Sequence, residues 1–191
     1  MSKEGRTGVT ENTPKNILFG AGTIHKGLKF ATTWNFEETL VGATSGGSKL
    51  SIIPEVTKIE VDGALVAVKG LSVKTGETAT MEINFIELTE DIIKTATFGK
   101  AGTSEDTKFN QIVSKSAIEE GDYWENIAFV GKTLSGENII AILENALCTS
   151  GFEQEGKNKE GAIGKYTFES HAELDSDLDT LPWKIYYPKR T

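Results

Sequence analysis

Residues Glu77–Phe85 constrain the fold most. Ala79, Met81, Ile83 and Phe85 alternate with Thr78, Thr80, Glu82 and Asn84. Side chains on a strand point to opposite faces in turn, so this period of two predicts a half-buried β-strand with one face on a core. The pattern returns at Lys165–Leu174, where Tyr166, Phe168, Ser170, Ala172 and Leu174 oppose Lys165, Thr167, Glu169, His171 and Glu173. The chain has 20 Gly without a collagen-like period and only 4 Pro, a composition that supplies many turns. The fold class expected is therefore mainly β.

Other segments fill in the order of elements. Ile17-Leu18-Phe19 begins ordered structure, and Gly20 and Gly22 permit a bend or bulge before a strand at Thr23–Phe30. Asp62-Gly63 predicts a hairpin between Val56–Val61 and Leu65–Lys69, and Thr75-Gly76 a further turn. Phe109–Ile118 and Tyr123–Leu134 read as strands around a turn at Glu119–Asp122, and Lys184–Tyr187 as the last strand. Asn138–Leu147 fits strand or helix. At Thr89 the period changes: Thr89 suits an N-cap, Glu90 and Asp91 a helix N-terminus, and Gly99 a stop, with Ile92, Ile93 and Ala96 on one stripe. One short helix is expected at about residues 89–98.

The 191 residues, 38% hydrophobic and 25% charged, suit one domain with one core. Residues 1–15 read as a flexible N-terminal arm, 16–188 as a single β-rich domain with loops at about 40–50 and 99–108, and 189–191 as the C-terminal end. The chain shows no internal repeat.

Net charge is −8. That disfavours tight nucleic-acid binding, which needs Lys and Arg to neutralise phosphates. One cysteine, Cys148, precludes an intrachain disulfide and reads as a core filler. Met1–Thr13 has no signal-peptide character, and no apolar run is long enough to span a bilayer, so a soluble chain without membrane insertion is expected.

Several fragments imitate catalytic motifs. Gly131-Lys132-Thr133 ends like a phosphate loop, but Asn126 stands where the first Gly is needed and Ile127–Val130 is apolar strand. Gly20-Ala21-Gly22 has His25 in place of the third glycine of a dinucleotide fingerprint. Asp175, Asp177 and Asp179 begin like a calcium loop, but Thr180 and Tyr186 stand where Gly and bidentate Glu are required. His25 and His171 lack metal-ligand spacing. The reading assigns no catalytic, cofactor or metal residue and expects no enzyme.

The texture and order of residues 16–188 resemble the major tail tube proteins of long-tailed phages, particularly the non-contractile type. The resemblance is carried by Ile17–Gly22 with Gly27-Leu28-Lys29, by GATSGGSK at 42–49, and by IPEVTKIEVDGALVAVKG at 53–70. It continues through ETATMEINFIELTEDIIKTA at 77–96 and Leu181–Pro188. It implies two antiparallel sheets in a sandwich or small barrel with one flanking helix, and makes Asn138–Leu147 a strand. It further implies hexameric rings that stack through long loops and terminal arms into a hollow tube conducting phage DNA. Gly42, Thr44, Ser45, Gly46, Gly47 and Lys49 become a candidate ring-stacking loop. Glu82, Glu169 and Glu173 become candidate lumen-facing acids, in a lumen expected to be net negative so that DNA slides past.

The implied partners are further copies of the chain, tail-tip or baseplate, tape-measure and terminator proteins, and double-stranded DNA in transient passage. The implied place is the virion tail, assembled in the host cytoplasm. A contractile injection-system tube or a tail-tip component shares the expected fold. A carbohydrate-binding sandwich would need exposed aromatics gathered in a groove, whereas Trp34, Trp124 and Trp183 are scattered in sequence.

Overall fold

The computed structural model describes residues 8–156 and 158–189. Residues 1–7 of the expected N-terminal arm and 190–191 of the C-terminal end lie outside the described residues. The chain is mainly β and antiparallel throughout. Its strands are β1 (Leu18–Lys26), β2 (Thr44–Lys58), β3 (Ser72–Phe85), β4 (Lys100–Ala101), β5 (Ile112–Val113), β6 (Trp124–Thr133), β7 (Asn138–Cys148), β8 (Gln154–Glu155), β9 (Ile163–Ser170) and β10 (Trp183–Tyr186). Two helices are described, α1 (Thr13–Asn16) and α2 (Glu90–Thr97).

The main sheet runs β1-β6-β7-β9-β3-β2, and β4 pairs with β5 in a separate ribbon. β7 is the pivot. One of its edges pairs with β6 along its length. The other pairs with β10 at Ile140–Leu143 and then with β9 at Ala146–Cys148. The handover falls at Asn145, a non-glycine residue in the left-handed region (φ 48°). Ile24, Ile127 and Leu143 from one side of this handover meet Met81, Ile83, Phe85, Tyr166 and Phe168 from the other in one core. The two layers are therefore parts of one continuous sheet folded about β7, a sandwich sharing a strand. A second cluster, Leu28, Ala128, Val130, Ile140 and Ile142 under Trp34 and Phe36, buries the outer face of β6 and β7.

The alternating strands sit as their pattern predicts. Ala79, Met81, Ile83 and Phe85 are almost fully buried, as are Tyr166 and Phe168. Met81, Ile83, Phe85 and Phe168 each contribute about 1.5–3 kcal/mol by leaving water. α2 closes one side of the core with Ile92 and Ala96. Thr89 caps it as expected, its hydroxyl accepting from Ile92 N (3.3 Å). Its left-handed stop is Phe98 (φ 48°), one residue before the expected Gly99, whose N–H closes on Lys94 O.

Gly20 and Gly22 form the expected bulge, with three residues between Phe19 and Thr23 set against the one residue between their partners Lys132 and Val130. At Gly22 (φ 69°) a Cβ would strike the Phe129 ring. Asn138–Cys148 is strand, which settles the open reading of that segment.

Other expectations are corrected. Residues 44–49 are not a loop but the start of β2. Gly46 and Gly47, both at positive φ, form a bulge between the pairs Thr44–Phe85 and Ser48–Ile83, and Asn84 Nδ2 donates to Gly47 O (3.1 Å). Glycine there bends a strand without ending it. Thr75-Gly76 is likewise an irregularity opposite Glu55–Val56 within β3, not a turn. Leu65–Lys69 does not return as a strand. The β2–β3 connection closes through Ile59 N to Leu71 O (2.8 Å), a wider tip that contains the predicted turn, with Ala64 N donating to Val61 O.

Only Ile112–Val113 of the expected Phe109–Ile118 strand forms, pairing with Lys100–Ala101 of the expected loop; Phe109 and Ile118 find no core and stay exposed. The Lys165–Leu174 strand stops at Ser170, because β7 and β3 offer no partner beyond it, and Leu174 is 97% exposed. The strand expected at Thr23–Phe30 ends at Lys26. Thr13–Asn16, the junction of the expected arm, is one helical turn with Pro14 at its start, where a missing N–H costs nothing.

Candidate assembly surface

β9 pairs with β3 only from Thr80 to Phe85. Before Thr80, β3 has β2 as its sole strand neighbour among the described residues. Residues 53–78 therefore leave the sandwich as a two-stranded arm. The extended part, Ile53–Lys58, reaches roughly 20 Å at the usual rise per residue. Ile53, Val56, Ile59, Val61, Leu65, Val66, Val68 and Val73 are all exposed along it, Leu65 by 99% and Val66 by 77%. A lone two-stranded ribbon is marginal in water, and this many exposed apolar side chains on one segment is more than a free surface ordinarily shows.

The arm's base is fixed to the body. Trp183 Nε1 donates to Glu77 Oε2 (3.1 Å), and Lys74 pairs with Glu77 (3.0 Å). The Trp183 hydrogen bond and, after it, Lys74 hold the Glu77 carboxyl below its ordinary pKa. Thr57 and Thr75 hydroxyls meet across the ribbon (3.0 Å). β1 and β2 are the outer strands of the main sheet. Residues 39–41 cover part of β1, with Lys26 N donating to Thr39 O and Val41 N to Ile24 O. Along its outer side β2 has no strand partner among the described residues. Such an edge is a template for pairing with another chain.

The residues expected to stack rings lie elsewhere on the same strand. Thr44, Ser45, Gly46, Gly47 and Lys49 occupy the bulged body end of β2, with Gly42 just before it against the Glu87 side chain. Sequence reasoning missed the arm as a site because Asp62-Gly63 looked like an ordinary hairpin. The available signal was the run Ala64–Val68, which has no polar face.

Of the candidate lumen acids, Glu82 and Glu169 come together on the polar face of β3 and β9, through the pairs Thr80–Glu169, Glu82–Thr167 and Asn84–Lys165. Lys49 joins them, bridged to Glu82 (2.7 Å). That face holds acids and lysines in balance, with hydroxyls and amides between them. Glu173 is not on it; it lies in the loop after β9.

The structure does gather aromatics that are scattered in sequence. Trp34 meets Phe30 (5.3 Å between ring centroids) and Tyr186 (4.9 Å) beside a cleft of 610 Å³. An adjoining cleft of 810 Å³ is walled by Tyr123, Trp124 and His171. Both are lined by Glu125, Asn145 and Glu173, so they form one groove. Trp124 is otherwise buried, its Nε1 donating to Thr95 Oγ1 (2.9 Å), while Trp183 serves the arm's base.

No protein-family model matches the chain, and no curated protein matches it.

Among the described residues no group of three or more His, Cys, Asp or Glu is placed to hold a metal ion. Asp177 caps its own turn, accepting from Asp179 N (3.0 Å) and Thr180 Oγ1 (3.3 Å). Gly131-Lys132-Thr133 lies within β6, where strand pairing prevents a loop around phosphate. His25 is buried between Thr23 Oγ1 (2.8 Å) and Thr39 Oγ1 (3.0 Å), and desolvation lowers its pKa. Burial raises that of the Cys148 thiol, which suppresses the nucleophilic thiolate. No helix among the described residues is long and apolar enough to cross a membrane.

Proposed function

We propose that the chain is a structural, non-enzymatic subunit of a phage tail tube. Six copies close into a ring, rings stack into a hollow tube in the virion tail, and DNA passes through. The observation that carries this reading is the β2–β3 arm: a long ribbon whose apolar side chains stand exposed among the described residues, continuous with an open sheet edge. Ring closure pairs such edges, and stacking buries such arms. The sequence resemblance supplies the choice of assembly. Tail-tip, tape-measure and terminator proteins are the further partners, and assembly takes place in the host cytoplasm.

Passage of DNA requires few free cations on the lumen wall, since each neutralised phosphate adds affinity. The Glu82 and Glu169 face is compatible with that, because Glu82 already holds Lys49. A lumen net negative overall is expected. A potential map of the assembled tube tests it, and a positive lumen with acids confined to the outer wall leaves charge a solubility role only.

Negative-stain microscopy and sedimentation of concentrated protein test the main reading. The expected result is six-fold rings and tubes; a monomer or dimer at every concentration overturns it. The cluster of Phe30, Trp34 and Tyr186 favours a second reading, a carbohydrate-binding sandwich. A glycan array decides that case.

A further inference from the structure

We propose that the cleft beside Trp34 is a binding site for a short saccharide. The inference stands apart from the tail-tube reading and gives the second reading its site. Phe30 and Trp34 form a β-bridge across a tight loop, which sets their rings together. Trp34 packs on the cluster of Ile140 and Ile142, and Phe36 stacks along it (13° between ring planes), so its ring is a fixed wall. β10 adds to β7 and brings Lys184 and Tyr186, two residues apart and so on one face. Phe30 and Tyr186 stand exposed, tilted 56° and 73° from the Trp34 plane. The three rings make a corner and not a flat platform.

The polar lining selects the occupant. Glu125 is paired with Lys29 and Glu144 with Lys184, so the charges of this cleft cancel except at Glu173. A nucleotide base would stack on the rings, but its phosphates would meet three carboxylates and only cations already paired. Carboxylates and ammonium groups side by side offer acceptors and donors together. A hydroxyl both donates and accepts, so a neutral polyol satisfies both. A sugar ring adds apolar C–H faces, which lie well on aromatic rings. The volume of 610 Å³ is ordinary for a small-ligand site, and aromatic walls with a few convergent polar groups are the usual lining of one. A corner of three rings suits a short soluble chain, whereas the face of a crystalline polymer needs a flat platform.

NMR titration of the full chain with maltotriose, cellotriose and chitotriose tests it, with a glycan array beside it. The three sugars cover α-linked, β-linked and N-acetylated rings. The Trp34 indole N–H resonance should shift saturably with at least one of them, while that of the buried Trp124 stays in place. Phe30→Ala removes a ring and Glu173→Gln the uncompensated carboxylate, both from exposed positions, so both variants should fold, as circular dichroism checks. Phe30→Ala should weaken binding about tenfold and Glu173→Gln about threefold. Phe109→Ala, which removes an exposed ring between β4 and β5, should leave it unchanged. A positive array with Phe30→Ala binding as the wild type does overturns this cleft and leaves a carbohydrate-binding sandwich standing. No shift with any trisaccharide together with an empty array overturns both. A Trp34 shift that follows protein concentration without sugar makes a second copy the occupant and also overturns the proposal. Tubes are scored separately by microscopy, and their absence overturns only the tail-tube reading.

Discussion

Strand β3 carries two regions of opposite fate, an alternating apolar half and a polar half that holds only Val73. From Ala79 to Phe85 its apolar residues lie almost wholly out of water, against β9 partners such as Phe168 and Tyr166. From Ser72 to Thr78 the strand continues without a break, yet Val73 is half exposed, as are Val56 and Ile59 nearby on the arm. Both regions pair with β2. What differs is the third strand and the second layer: β9 reaches only Thr80, and nothing described covers the ribbon beyond. Hydrogen-bonded pairing alone leaves both faces of a ribbon in water. Burial comes from what packs over it.

The largest expected effect sits on the buried side of that comparison. Phe168 stacks on Trp124 (4.7 Å between centroids) and is fully enclosed. Phe168→Ala should cost about 3–5 kcal/mol in urea unfolding; a loss near that of an exposed residue would break the distinction between body and arm.

Thr95→Val comes next. It leaves the buried Trp124 Nε1 without its 2.9 Å partner and should cost about 1–3 kcal/mol. Proton exchange at the indole, followed by NMR, should accelerate in the variant.

A shallower effect is expected from pH. His25 lies beneath residues 36–39, and burial lowers its folded pKa, so the unfolded chain binds the proton more readily. Stability of the body should therefore fall as pH drops through the ordinary histidine value of about 6.5, and His25→Gln should flatten that slope. Amide exchange in residues 59–71 should not follow it, since the arm does not touch His25. An arm that loosens in parallel would mean that the two regions unfold as one.

The smallest effect on stability belongs to the arm. Leu65→Ser with Val66→Ser should change monomer unfolding by less than about 0.5 kcal/mol, because neither side chain is buried there. The same variant should suppress tubes in electron micrographs. A large loss of monomer stability would show that the arm already packs on its own body.

The alternating segments were legible because their period is local. A strand with one buried face must place apolar residues two apart, whatever covers them, and Met81, Ile83, Tyr166 and Phe168 follow that rule. The α2 cap at Thr89 was legible for the same reason, since its hydroxyl closes on an N–H three residues away. Loop chemistry misled at Gly46-Gly47, where positive-φ glycines mark either a loop or a bulge and only Ser48 pairing with Ile83 distinguishes them. The groove was not legible at all: Phe30, Trp34 and Tyr186 are separated by up to 156 positions and meet only because β10 adds to β7.

By itself the sequence determined that this chain is mainly β, where its best strands and its central helix lie, and that the core-facing residues are those at period two. These follow from backbone geometry and near neighbours. The tertiary structure decided how the sheet folds about β7, that the β2–β3 ribbon outruns its third strand, and which aromatics and carboxylates share a groove. Those depend on pairing between strands far apart in the chain, where register fixes what is covered and what remains for another molecule to cover.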